Sequence, residues 1–228
     1  FVISPGYQLI ALDARSGQPR TDFGEDGIVD LKLQLGVELD PVTAPIGASS
    51  PAIVINDVVI VGAAFTFSGA PASPDALKGK VTAYDVNTGE LRWRFNTIPG
   101  ERESGSASWG SDSAGYTGNA GVWAPMSADP ELGYVYLPVE APTSDYYGGH
   151  RPGDNLFGQS LVCLDASTGE RVWHFQTVHH PIWDYDLPAP PVLLDISVDG
   201  REIPAVAQIT KQGLTFVFDR RSGEPVWP

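Results

Sequence analysis

One pattern recurs four times in this 228-residue chain and limits its fold more than any other feature. Ala83 to Trp93 reads AYDVNTGELRW, Cys163 to Trp173 reads CLDASTGERVW, and Val217 to Trp227 reads VFDRRSGEPVW. Ala11 to Thr21 reads ALDARSGQPRT, with Thr21 in the tryptophan slot. A chain with such internal periodicity is read as an array before anything else. Each copy reads as a β-hairpin. An apolar strand runs into Asp, whose side chain accepts from nearby backbone N–H groups with the help of Ser or Thr. Gly then supplies a positive φ, and the return strand alternates. In Leu91-Arg92-Trp93-Arg94-Phe95, Leu, Trp and Phe fall on one side and both arginines on the other.

Other stretches agree. Ala52–Ile55 and Val58–Val61 flank Asn56-Asp57, a two-residue turn. Asp199-Gly200 separates Val192–Val198 from Ile203–Gln208. Glu131-Leu132-Gly133 precedes a strand at Tyr134–Leu137. No segment gives ten residues of helical periodicity free of Gly and Pro, and 25 glycines and 20 prolines suit a chain of many turns. The class is therefore all-β. The intervals between Asp13, Asp85, Asp165 and Asp219 average about 69 residues, enough for a four-stranded propeller blade with insertions. Radial arrays must close or expose sheet edges. A ring of eight such blades would need roughly 550 residues. Residues 1–228 are thus expected to form about half of an eight-bladed β-propeller, with repeat hairpins near 11–21, 83–93, 163–173 and 217–227. The start at Phe1, without Met, favours a piece of something longer.

Composition removes several classes. With 14 Lys and Arg against 28 Asp and Glu, the net charge is -14 and no basic run offers a nucleic-acid surface. A hydrophobic content of 42% exceeds that of an acidic disordered segment. The longest apolar run, Val58 to Phe65, is far too short to span a membrane. A single cysteine forbids an internal disulfide, and Cys163 occupies an apolar strand slot as a small hydrophobe.

More specific strings lie between the repeats: TDFGEDGIVDL (21–31), SSPAIVINDVVIVG (49–62), YTGNAGVWAPMSADPELGYVYLP (116–138), YYGGHRPGDN (146–155), TVHHPIWDYDLPAPP (177–191) and TKQG (210–213). With the repeats, which look like tryptophan-docking motifs, they resemble the quinoprotein dehydrogenases. These are eight-bladed propellers that hold pyrroloquinoline quinone (PQQ) and a metal on the central axis. The resemblance covers essentially the whole chain, and is stronger to the membrane-bound glucose dehydrogenase branch than to the methanol dehydrogenase branch. It implies a PQQ-dependent oxidoreductase acting on a sugar or alcohol hydroxyl, with electrons passed to a membrane quinone or a cytochrome. It also implies a divalent metal, Ca2+ first with Mg2+ or a lanthanide as alternatives. The location implied is the periplasm, with any attachment to the inner membrane through segments outside this chain. The remaining blades of the ring would be its partners.

By the same resemblance Asp184, in Trp183-Asp184-Tyr185-Asp186, matches the catalytic base beside the metal. An aspartate between two aromatics has an apolar setting that calls for a partner; a backbone-capping turn residue is the plainer alternative. Lys211 matches the lysine at the quinone oxygens, against the alternative of an exposed turn lysine. Trp123 matches the tryptophan lying flat on the cofactor; Trp93, Trp173 and Trp227 are read as core. Asp186 would share a face with Asp184 on an extended strand and is the second candidate metal ligand. One departure stands out: the slot for a metal-binding Asn in the alcohol-oxidising branch holds Ala141. Glu140 beside it would point the other way on a strand, and Asp75 is only a weak substitute for a further metal-binding Glu. His179 and His180 are adjacent and lack a third ligand, so hydrogen bonding or a place in a channel wall suits them better than metal binding. Arg151 and Asp154 are available to pair in a structured loop. A non-catalytic propeller scaffold and a PQQ alcohol dehydrogenase are the rival readings. A scaffold has no reason to bring Trp123, Asp184 and Lys211 together.

Overall fold

A computed structural model describes residues 1–40, 42–65 and 69–227. The first blade holds β1 (Val2–Ile3), β2 (Gln8–Ile10) and β3 (Ile28–Asp30). Next come β4 (Ile46–Gly47), β5 (Ile53–Ile55), β6 (Val58–Val61), β7 (Ala64–Phe65), β8 (Lys80–Asp85) and β9 (Leu91–Asn96). Of these, β5-β6-β8-β9 form the second blade, while β4 and β7 pair apart. The third blade is β10 (Ser127–Asp129), β11 (Tyr134–Pro138), β12 (Ser160–Asp165) and β13 (Arg171–Gln176); the fourth is β14 (Val192–Val198), β15 (Arg201–Ile209) and β16 (Thr215–Asp219). All pairings between these strands are antiparallel. The all-β partial propeller expected from the repeats is the architecture observed.

The core sits between blades, in three clusters, and strand alternation explains the division. On β6, Val58 and Ile60 face the third blade, whereas Val59 and Val61 face the first. On β12, Val162 and Leu164 face the second blade, whereas Leu161 and Cys163 face the fourth. Inner strands are therefore apolar on both faces. That is why Val58 onward reads as a continuous apolar run instead of an alternating one.

The repeats supply the joints. In three of them the Asp side chain accepts the backbone N–H groups two and three residues ahead, as Asp85 does from Asn87 and Thr88 at 2.9 Å each; Asp219 does so from Arg221 alone. Trp93 then lies on Gly169 of the next repeat and donates its indole N–H to Ala166 O at 2.9 Å. Trp173 repeats this on Gly223 and Arg220 O, at 3.1 Å. A Cβ at Gly169 or Gly223 would lie 2.6 or 2.5 Å from the facing indole, so only glycine fits. In the first blade Thr21 does not replace the tryptophan. Phe23, two residues on, is buried and reaches toward Gly89, while Gly24 N donates to Thr88 O at 2.8 Å. Trp227, read from sequence as core, is 54% exposed, and among the described glycines none packs on it. The 192–209 hairpin also pairs further than expected. A turn with both Asp199 and Gly200 at positive φ lets Val198 pair directly with Arg201.

Candidate active site

The site is assembled from connections, not strands. Trp123 lies between β9 and β10, Asp184 and Asp186 between β13 and β14, and Lys211 in the turn joining β15 to β16. That turn is closed by Gly213 N donating to Thr210 O at 3.0 Å, with Gly213 at φ 78°. Its lysine side chain does not project freely. The ammonium lies 3.0 Å from Asp184 Oδ1 and 3.4 Å from Asp186 Oδ2. It also stands 6.0 Å from the centre of the Trp123 ring, within cation–π range.

Asp186 is the buried member, its side chain 9% exposed against 32% for Asp184. It accepts from Trp123 Nε1 at 3.2 Å and from Ala141 N at 2.7 Å. Burial pushes its carboxyl above the usual aspartate range, while the Ala141 N–H and the Lys211 charge pull the other way. Burial lowers Lys211, but the two aspartates outweigh it and hold the ammonium above its ordinary value. The two aspartates do not share the face of an extended strand. The 177–191 segment is irregular and Asp184 is left-handed at φ 52°, so the carboxylates meet by converging on Lys211. Fully buried Gln159 supports this turn. Its amide oxygen, in the orientation that satisfies both ends, accepts from Tyr185 N at 2.7 Å.

The slot at Ala141 contributes a backbone N–H, not a side chain, to the site. Its neighbour Glu140 is 7% exposed and accepts from Gly121 N at 2.8 Å. Burial, then the nearby Asp186 charge, pushes Glu140 well above the usual carboxylate range. Asp75 is exposed and lines a cavity with Glu38, Asp40, Asn119 and Thr143, which takes in none of the four candidates. His180 Nδ1 donates to Gly153 O at 2.9 Å, a hydrogen-bonding role.

Sequence reasoning underrated Arg151. It is fully buried and does not pair with Asp154. Instead it donates to Thr143 O at 3.0 Å, Ser144 O at 3.0 Å, Asn155 Oδ1 at 2.7 Å, and Pro181 O. This ties the 143–155 loop to the segment carrying Asp184. Three of these four partners are backbone carbonyls, which residue identity does not record.

A planar tricarboxylate quinone needs an aromatic face and a cation at its rim, and Trp123 with Lys211, 6.0 Å apart, are residues of the kind that can supply both. The donor set for a metal is less complete. Among the described residues no cluster of three His, Cys, Asp or Glu side chains could hold an ion, and the Asp184 and Asp186 carboxylates already share the Lys211 ammonium. Two carboxylates alone do not make a metal cage.

Residues 1–228 match the family model "PQQ: Glucose/ethanol/alcohol dehydrogenase, beta-propeller domain". Quinoprotein glucose dehydrogenase A of Acinetobacter calcoaceticus is 36% identical over 97% of this chain, and quinoprotein glucose dehydrogenase of Escherichia coli K12 is 37% identical over 97%. The chain spans 27% of the length of each. The solved quinohemoprotein alcohol dehydrogenase ADH-IIG of Pseudomonas putida superposes with a TM-score of 0.79 at 29% identity, covering 96% of this chain and 31% of that one. With its whole length matched, this chain belongs to the β-propeller domain family of PQQ-dependent glucose, ethanol and alcohol dehydrogenases.

Proposed function

We propose that the chain forms part of the catalytic propeller of an oxidoreductase that oxidises a sugar or alcohol hydroxyl. The convergence of Asp184, Asp186 and Trp123 on Lys211 carries this reading. When bound, PQQ supplies the acceptor for the substrate's hydride. The chain's own groups do the rest. Asp184 is the base: Lys211 engages its Oδ1, and its partly exposed carboxylate takes the hydroxyl proton. Lys211 brings positive charge to the rim where negative charge develops. Asp186, held by Trp123 and Ala141, fixes both the indole and the ammonium. No step is assigned to a metal at Asp184 and Asp186. The acceptor in this reading is a membrane quinone or a cytochrome, and the location is periplasmic.

The test uses the complete polypeptide loaded with PQQ and Ca2+, following dye reduction with glucose and short alcohols. Turnover on at least one is expected; none on any removes the proposal. Asp184→Asn should lower kcat by about 10^3-fold with an unchanged melting temperature. Near-normal turnover of that variant refutes the base assignment.

A further inference from the structure

We propose that Glu140 is a positioning residue, whose buried carboxyl sets the place of the Trp123 indole and, through it, of the Asp186 carboxylate. This deepens the reading above and rests on it, since that reading gives Trp123 and Asp186 their work.

Two observations carry it. First, the hydrogen bonds close a ring. Glu140 Oε1 accepts from Gly121 N at 2.8 Å, and Glu140 N donates to Gly121 O at 3.0 Å. Two residues on, Trp123 Nε1 donates to Asp186 Oδ2 at 3.2 Å. The other oxygen of Asp186 accepts from Ala141 N at 2.7 Å, and Ala141 follows Glu140 directly. Indole, carboxylate and Glu140 are thus tied into one circuit, with the Lys211 ammonium 3.4 Å from Asp186 Oδ2. No ladder strand holds Trp123, which lies in the connection between β9 and β10. Backbone bonds hold the flanks of its segment, Ala120 N to Ala141 O at 3.1 Å and Val122 N to Ala63 O at 2.9 Å. The N–H between them goes to the carboxyl.

Second, the fit leaves no slack. Glu140 and Gly121 are both buried, so their bond is not traded with solvent. A Cβ on Gly121 would lie 2.4 Å from Ala63 O and 2.8 Å from Glu140 Oε1. The segment carrying Trp123 is thus pressed between a backbone carbonyl and this side chain. Asn119 hydrogen-bonds the same carboxyl, while its own Oδ1 is buried and, among the described residues, has no partner. Glu140→Gln keeps the Oε1 acceptor, and its amide N–H groups would meet Asn119 Oδ1 once that amide turns. Glu140→Ala removes the acceptor and leaves the Gly121 N–H buried and unpaired, a penalty that the segment relieves by moving.

The experiment labels the complete polypeptide with fluorotryptophan and reads each indole by fluorine NMR, with single Trp→Phe variants assigning the signals of Trp123, Trp93 and Trp173. Equilibrium dialysis then measures the Kd for PQQ. Glu140→Ala should shift or broaden the Trp123 signal while those of Trp93 and Trp173 stay in place, and should raise the Kd about tenfold. Glu140→Gln should leave both readings near native. An alanine variant with the native Trp123 signal, or with the native Kd, overturns the proposal. So does a glutamine variant that behaves like the alanine one, or a shift of all three signals together, which marks a general loss of structure. If the native protein binds no PQQ while the Trp123 signal follows Glu140 as stated, the clamp stands and the oxidoreductase reading falls instead.

Discussion

At the residue scale the site is a charge balance. One ammonium faces two carboxylates, one half-open and one buried, in a chain whose net charge is -14. Among the described residues Lys211 is the ammonium that joins the candidate cluster, so an anionic cofactor bound there would depend on it. Lys211→Met should weaken PQQ binding to the complete protein by about 10- to 100-fold, the usual worth of a charge-assisted contact. Quenching of tryptophan fluorescence on titration with PQQ measures it, and an unchanged Kd removes Lys211 from the cofactor site. Asp184, Asp186, Lys211 and Trp123 were singled out in the sequence through the strings that carry the family resemblance, and the four side chains do come together. Their geometry was not legible there. The strand rule put both aspartates on one face, whereas a left-handed Asp184 in an irregular segment brings them together. Ala141 illustrates the limit: its side chain does nothing at the site, and its backbone N–H holds Asp186. Backbone donors leave no trace in residue identity.

At the element scale the repeat is a hinge pin between blades. Trp93 and Trp173 each cap the turn of the following blade, and the glycine beneath each is required for two separable reasons. One is its positive φ; the other is the absence of a Cβ under the indole. Gly17 occupies the same repeat position at φ 70°, but nothing lies within 4 Å of its Cβ direction. The three glycines therefore separate the two costs. Gly17→Ala should lose about 1 kcal/mol, the backbone cost alone. Gly169→Ala and Gly223→Ala should lose about 3 kcal/mol, since overpacking against the indole adds to it. Chemical denaturation of the three variants measures this, and equal losses would mean that the tryptophans can move aside. The hairpins were legible because turn residues and alternation are local signals. The substitution of Phe23 for the first tryptophan was not, since it depends on where the chain returns beyond Thr21.

At the scale of the whole molecule, cohesion runs from blade to neighbouring blade, as in other repeat arrays. The joint between the third and fourth blades rests on Arg220, the residue after the repeat Asp. Its carbonyl accepts from Trp173 Nε1 at 3.1 Å and from the Tyr136 hydroxyl at 3.0 Å. Its guanidinium bonds Asp129 Oδ2 at 2.7 Å in the third blade and Asp195 Oδ1 at 2.8 Å in the fourth. Asp129 is buried, which alone would raise its carboxyl. The backbone N–H groups of Leu132 and Glu131, together with Arg220, outweigh burial and hold it below the usual aspartate range. A carboxyl depressed by folding stabilises the fold above its ordinary value near 4 and loses that contribution as pH falls through the folded value. Removing Arg220 leaves Asp129 as a buried charge without its cation, at a cost of about 3 kcal/mol. The cost should be local to one joint. Arg220→Met is expected to speed amide exchange in β14–β16 by about 100-fold at pH 7 while β5–β9 exchange as before. Native protein taken well below pH 4 should loosen the same blade first, and the variant should show less of that acid dependence, because the pair it titrates is already broken. Uniform acceleration across all four blades would mean that the array unfolds as one cooperative unit and that no single joint governs its neighbour.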